Sequence, residues 1–399
     1  MKKIVMVTGG VETLEYFTLR MGETFKDLGY AVFYLDLKDA KNSAKRACRF
    51  IKPGETALVT FNFEGLEKEE GVYREGLGYI WDSYGIPCYN IAADHPYYYH
   101  DRLKELPKTY RHISIDREQE AYFRKFYPEF EHRGFLPLAG SMLPASELFS
   151  DGKDSGDRTI DVIMTGNYTP PSFCEPYIHQ INEEYAAFYQ GIIDELIEKP
   201  WQTVEKVALR HCEREMGEND YRDLRLALHR MIFIDLYVRN YWRGAAVRAL
   251  VEAGVTVDVY GKGWEALDCG NKQMLHIHPQ TDSVTCLQEI SRAKISLNVM
   301  PWFKDGAHDR VFNSILNGAV SVSDKSRYLC EELAEGEGVC YYNLLETDVM
   351  VQKIKDLLQE EQKRQDILAK GMSKVKAEHT WAARAKTIAA WIEEDAAKA

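Results

Sequence analysis

Short apolar runs recur along the chain, with longer stretches of helical periodicity between them. In the first part the runs are 3–7 (KIVMV), 31–36, 57–61, 88–94, 112–116 and 134–138; in the second they are 159–165, 255–261, 274–278, 295–299, 319–322 and 338–342. Most are apolar at successive positions, as strands buried on both faces of a parallel sheet are, and helices between them supply the cover. The pattern predicts an α/β chain of two successive Rossmann-like domains. Domain boundaries fall at residues 1–150 and 151–375, with a helical insert at about 170–240 in the second domain. Residues 376–399 form a final helix expected to pack back on the first domain. The stretch 138–158, rich in Gly, Ser and Asp, is the linker candidate. In the insert, Tyr185, Phe188, Tyr189, Ile192, Leu196 and Ile197 fall on one helical face at steps of three and four, which reads as packing.

Length and charge narrow the function. At 399 residues the chain fits two domains of ordinary size, and its net charge of −12 argues against a broad nucleic-acid groove. Small phosphorylated ligands need only a few local donors and stay open. The opening MKKIVMVTGG is too short an apolar run for a signal-peptide core, and no window reaches the length of a membrane span, so a cytoplasmic protein is expected. The eight cysteines are scattered without a C-x2-C pair, which gives no zinc site and no disulfide framework.

In open α/β sheets ligands bind beyond the carboxyl ends of the strands, so the residues just after each run carry the chemistry. The first domain offers Gly9 and Gly10, Asn62, and Asp94 and His95 followed by three tyrosines. A histidine there suits a general base, and turn-shaping is its alternative role. The second domain offers Gly166, Asn167 and Tyr168; Tyr260, Gly261, Lys262 and Trp264; His278 and Pro279; and the loop that runs through Asp305, Gly306, Ala307 and His308 to Arg310. Of His276 and His278, alternation along a strand predicts one buried and one near the rim. The segment 294–324 is the most informative. It reads as strand, loop with one glycine, helix at 309–316, turn and strand, so the helix N-terminus presents unpaired N–H groups and a positive dipole end to an anion. Arg310 on its first turn adds a guanidinium fork that fits phosphate.

The segment GAHDRVFNSILNGAVSVSD resembles the signature of GT-B glycosyltransferases in the C-terminal domain shared with CgeB-like, spore-maturation-type proteins. Gly166-Asn167-Tyr168, the VYGKGW segment at 259–264 and IAADHPYYYHDRL at 91–103 are similar to the same family, in the same order. The resemblance implies GT-B architecture, with two Rossmann-like domains facing across a cleft. It implies a nucleotide-sugar donor, uridine-linked by preference, held by the second domain, and a glycan, protein or small-molecule acceptor held by the first. No cofactor and no metal are expected, since no Asp-x-Asp motif stands at a strand end. The leaving diphosphate then falls to Arg310, Lys262 and the helix N-terminus. The family's Glu-x7-Glu pair is replaced here by Asp305 and Asn313; that remnant spacing favours retention of configuration, with Asp305 near the donor sugar and Asn313 on the ribose. A non-catalytic nucleotide-sugar-binding subunit and a nucleotide-sugar epimerase are the rival readings.

Overall fold

The computed structural model describes residues 1–144, 158–217 and 220–398. Most of the linker candidate, 145–157, lies outside the described residues. The chain divides into two compact units, Met1–Leu138 with His379–Ala399, and Ala139–Glu378. Each is built on its own six-stranded parallel sheet.

In unit 1 the strands are β1 (Lys3–Thr8), β2 (Ala31–Asp36), β3 (Thr56–Phe61), β6 (Cys88–Ala92), β7 (Tyr110–Ser114) and β8 (Glu131–Phe135), in the order β2-β1-β3-β6-β7-β8; a two-stranded hairpin, β4 (Tyr73–Arg74) with β5 (Gly78–Tyr79), stands apart. β3 and β6 are buried at every position, as expected of central strands covered on both faces. The strand expected at 134–138 sits three residues earlier. β8 pairs with β7 through Glu131–Phe135 across an irregularity at His112/Ile113, and Pro137, lacking an N–H, cannot extend the ladder. The helix Trp381–Lys398 belongs to this unit. Trp381 stacks on Phe17 at 4.2 Å, and Asp395 at its far end takes hydrogen bonds from Tyr89 (2.7 Å) and Arg133 (3.0 Å) as well as Arg111.

Unit 2 repeats the plan with β9 (Ile160–Thr165), β10 (Val257–Tyr260), β11 (Leu275–His278), β12 (Ala293–Asn298), β13 (Val320–Asp324) and β14 (Val339–Tyr342), ordered β11-β10-β9-β12-β13-β14. Between β9 and β10 the insert forms the helices Glu183–Glu198, Val204–Met216, Tyr221–Arg230 and Ile232–Glu252. The last is apolar nearly all round and buried along most of its length, which makes its charged positions informative. In both sheets the first strand has its successor on one side and a later strand on the other. The strand order therefore reverses between β1 and β3 in unit 1 and between β9 and β12 in unit 2, the two places where α/β sheets bind ligands.

Candidate anion site in unit 2

At the reversal point of unit 2 the chain brings together three segments that are distant in sequence. Gly166 and Asn167 follow β9, Gly261 and Lys262 follow β10, and the loop from Val299 leads from β12 into the helix Asp309–Leu316. The first two loops lie backbone against backbone. Gly166 N–H donates to Tyr260 O (2.8 Å), Lys262 N–H to Asn167 Oδ1 (2.9 Å) and Tyr168 N–H to Lys262 O (2.9 Å). Gly261, at φ 155°, permits this approach, since a Cβ there would lie 2.4 Å from Gly166 O. Trp264 is fully buried and donates its indole N–H to Gly166 O (2.8 Å), and Tyr168 stacks on it at 5.0 Å. These two aromatic residues hold the loop from beneath.

Arg310 reaches the same spot from the helix N-terminus. Its guanidinium packs so closely on Gly166 that a Cβ at that position would meet Nη2 at 2.7 Å. Gly166 has φ 137°, where a side chain is strained in any case. Arg310 Nη1 is buried without a hydrogen-bond partner. Burial pushes the Arg310 pKa down, opposed by the neighbouring Asp309. Before it, His308 occupies the N-cap position. Its Nδ1 lies 2.6 Å from Asp309 Oδ1 and 3.2 Å from Arg310 N. One nitrogen cannot donate to the first while accepting from the second, and the shorter contact assigns its hydrogen to Asp309. Burial and the Arg310 charge hold the imidazole neutral, its pKa lowered to about 4.

Two arginines and a tryptophan that the sequence reading passed over complete the group. Arg239 and Arg243 stand one turn apart on the helix Ile232–Glu252, with their guanidiniums 4.2 and 5.4 Å from the ring of Trp302. Arg239 pairs with Asp235 (2.6 Å). Arg243, 7% exposed, donates from Nη1 to Asn167 O, and its Nε has no partner. Burial, followed by the charges of Arg310 and Arg239, drives its pKa well below the ordinary arginine value. Among the described residues neither Arg243 nor Arg310 has a carboxylate hydrogen-bonded to its guanidinium. The sequence signal was an Arg-x3-Arg pair inside a helix with no polar face.

The remaining candidates fall elsewhere. Tyr260 and His278 stack at 4.3 Å, and His278 Nε2 contacts Asp258 Oδ1 (2.7 Å). The expected alternation of His276 and His278 fails. β11 is an edge strand whose burial pattern has no buried position; the His276 side chain is 51% exposed and that of His278 35%. Pro279 follows directly. Gly306 and Ala307 are buried, with Gly306 O accepting from Ser326. Asp305 is buried and ion-paired with Arg327 (3.2 Å). Asn313 Oδ1 accepts from Ser141 N (2.8 Å) and its Nδ2 donates to Asp309 Oδ2 (2.9 Å). Lys262 is exposed. In unit 1, Asp94 Oδ2 accepts from Tyr99 (3.1 Å), and His95 caps the turn Pro96–Tyr99 while packing between Tyr97 and Tyr122. Asp94 and His95 thus belong to one unit and Asp305 to the other. A group of guanidiniums suits an anion and repels a metal ion. Among the described residues no helix is long and apolar enough to cross a membrane.

Comparison with known proteins agrees with this geometry. Residues 241–390 match a family described as glycosyl transferase-like. No curated protein matches the sequence. Among solved structures, the DNA-modifying β-glucosyltransferase studied with and without uridine diphosphoglucose is similar, with a TM-score of 0.54, 12% identity, and 98% of this chain and 100% of that one covered. HepE from Anabaena, in complex with UDP, has a TM-score of 0.51 at 10% identity, covering 99% and 100%. Sucrose-phosphate synthase from Thermosynechococcus elongatus has a TM-score of 0.50 at 8% identity, covering 100% of both. Residues 241–390 thus carry a glycosyl transferase-like domain, and the two Rossmann-like units have GT-B architecture.

Proposed function

We propose that the chain transfers a sugar from a nucleoside diphosphate donor, uridine-linked by preference, to a glycan, protein or small-molecule acceptor, without a metal. The observation that carries this reading is the pair Arg243, whose guanidinium is buried, and Arg310, half-buried with Nη1 covered and unpartnered; among the described residues neither has a carboxylate hydrogen-bonded to its guanidinium. Burying an uncompensated cation is costly, and a diphosphate is the ligand that offsets the cost here. Two further features support it. The helix Asp309–Leu316 adds its N-terminal dipole, and the Gly166 loop lets a ligand approach the backbone. In glycosyl transfer, negative charge accumulates on the leaving diphosphate as the bond to the sugar breaks. Preorganised cations aimed at that charge lower the barrier by about 2.7–4 kcal/mol per well-placed donor, by analogy with oxyanion holes. The UDP and uridine diphosphoglucose named with two of the similar structures favour uridine. The CgeB-like kinship rests on the sequence motifs and belongs to this proposal.

The test is a panel of UDP-, GDP-, ADP- and TDP-sugars offered to the purified chain. If none is bound, hydrolysed or transferred, the reading fails. Binding without turnover would instead favour a non-catalytic donor-binding subunit. The ion pair of Asp305 with Arg327, and the engagement of both ends of the Asn313 amide, give that alternative its footing.

A further inference from the structure

Unit 1 has its own reversal point, and its chemistry is the opposite of that in unit 2. After β1 the chain turns through Gly9 and Gly10 into the helix Glu12–Asp27, the arrangement that in a nucleotide-binding unit would receive a phosphate. Here two carboxylates already occupy that position. Glu64 Oε1 accepts from Val11 N (2.9 Å), and Glu15 Oε2 from Gly9 N (3.3 Å). The Glu64 carboxylate lies so close beneath Gly10 that a Cβ there would be 2.1 Å from Oε1. An incoming phosphate would meet negative charge where it needs N–H groups.

The segment that presents Glu64 is unusual in its backbone. Asn62 (φ 43°) and Phe63 (φ 68°), directly after β3, are successive non-glycine residues in the left-handed region. Such conformations persist only where the surroundings over-determine them, and they concentrate at functional sites. Asn62 Oδ1 accepts from Ala93 N (2.6 Å), Phe63 N donates to Asn90 Oδ1 (2.8 Å), and Thr60 Oγ1 donates to Glu64 O (2.7 Å). The residue so placed is 8% exposed, and its Oε2 is buried without a hydrogen-bond partner. A carboxylate offers about four acceptor positions. Among the described residues the Val11 N–H fills one of them. Glu15, Glu67 and Glu69 lie close enough to raise the Glu64 pKa, although burial is the larger cause and the Val11 N–H opposes it. Arg102 is paired with Glu67 and donates to Asn62 O (3.1 Å).

We propose that the reversal point at the ends of β1 and β3 recognises the acceptor, and that Glu64 does so by accepting a hydrogen bond from a protonated amine. The acceptor label rests on the glycosyl-transfer reading; the amine site does not. An ammonium group supplies the donor that Oε2 lacks and neutralises part of the surrounding carboxylate charge. A neutral hydroxyl supplies only the first, and a phosphate is repelled.

The experiment is calorimetric binding to the full-length chain. Glucosamine, ethanolamine and spermidine are compared with glucose and glucose 6-phosphate, and UDP is titrated separately. At least one amine is expected to bind, with glucose at least tenfold weaker and glucose 6-phosphate not binding outside the UDP site. Glu64→Gln keeps an acceptor for Val11 N–H, so its Tm and UDP affinity should match the parent while amine affinity falls at least tenfold. Failure of all three amines to bind overturns the proposal. So does amine binding that is unchanged in Glu64→Gln, or glucose 6-phosphate binding in the presence of saturating UDP. Amine binding by a chain that ignores every nucleotide would sink the glycosyl-transfer reading and leave this site standing.

Discussion

Replacing Arg243 by Met separates two effects of one buried charge. In the ligand-free chain the Arg243 guanidinium is buried, its Nε is unpartnered, and Arg310 and Arg239 repel it. Its hydrogen bond to Asn167 O, made by a charged donor, contributes about 1.5–3 kcal/mol. Against that stands the desolvation of an uncompensated ion, several kcal/mol even after relaxation. Methionine keeps most of the length and contact with Trp302 without the charge, so the ligand-free variant should be more stable by about 1–3 kcal/mol. At about 2–4 °C per kcal/mol for a unit of this size, Tm should rise by several degrees. Nucleotide binding should change in the other direction. A hydrogen bond to a charged group is worth about 1.5–3 kcal/mol, so UDP affinity should fall roughly ten- to 150-fold. Uridine, lacking the diphosphate, should bind as before. The assay pairs a thermal melt without ligand with titrations of UDP and uridine. Equal losses for UDP and uridine, or a lower Tm with unchanged UDP affinity, would refute the assignment of Arg243 to the anion site.

Other outcomes follow from the same geometry. Gly166→Ala sets a Cβ 2.7 Å from Arg310 Nη2 at φ 137°, so it should cost about 1–3 kcal/mol of stability and at least tenfold in UDP affinity, read by denaturation and calorimetry. Trp381→Ala removes a ring that is 2% exposed and stacked on Phe17, and should destabilise unit 1 by about 3–5 kcal/mol in a urea titration followed by near-UV circular dichroism; a loss below 1 kcal/mol would contradict that packing. Burial, with a smaller contribution from the Arg124 charge, lowers the His132 pKa to about 4, below its ordinary 6.5. The unfolded chain therefore binds the extra proton between pH 6.5 and 4, and stability falls as pH drops through that window, by at most about 3 kcal/mol from this group. Asp324, raised to about 6 by burial, acts with the opposite sign over part of the range, so the urea midpoints to compare are those of the parent and His132→Gln at pH 7.5 and 5. A parent that loses no more than the variant would count against a buried neutral His132.

Much of the fold was legible because its signals are local. The run at 295–299, the glycine loop and the Asn317-Gly318 turn place a helix at 309–316, and the structure has it at Asp309–Leu316. Apolar runs likewise marked the strands of both sheets, since buried parallel strands need no alternation. β8 was misplaced because apolarity at 136–138 reports burial and cannot report where the ladder ends. His276 and His278 were misjudged because residues two apart on a strand share a face, and on the edge strand β11 both contact Asp258 Oδ1. Arg310 was visible as the first-turn residue of a loop and helix. Arg243 was not, because its meaning depends on a helix that returns 76 residues later to Asn167. Asn313 likewise looked available to a ligand until Ser141, 172 residues earlier, was seen to bind it.

The division of the chain also sets an order of events during synthesis. Residues 1–138 leave the ribosome first, yet the unit they belong to contains the helix Trp381–Lys398, and the whole of unit 2 is made in between. Phe17, Phe61 and Tyr89 must wait through 240 intervening residues for Trp381 and Asp395 to arrive. Unit 2, continuous in sequence, is free to complete its core while the older unit still exposes an aromatic surface. Of the two units, the one begun earlier is therefore the one finished later, its aromatic surface waiting on a helix made after the whole of its neighbour.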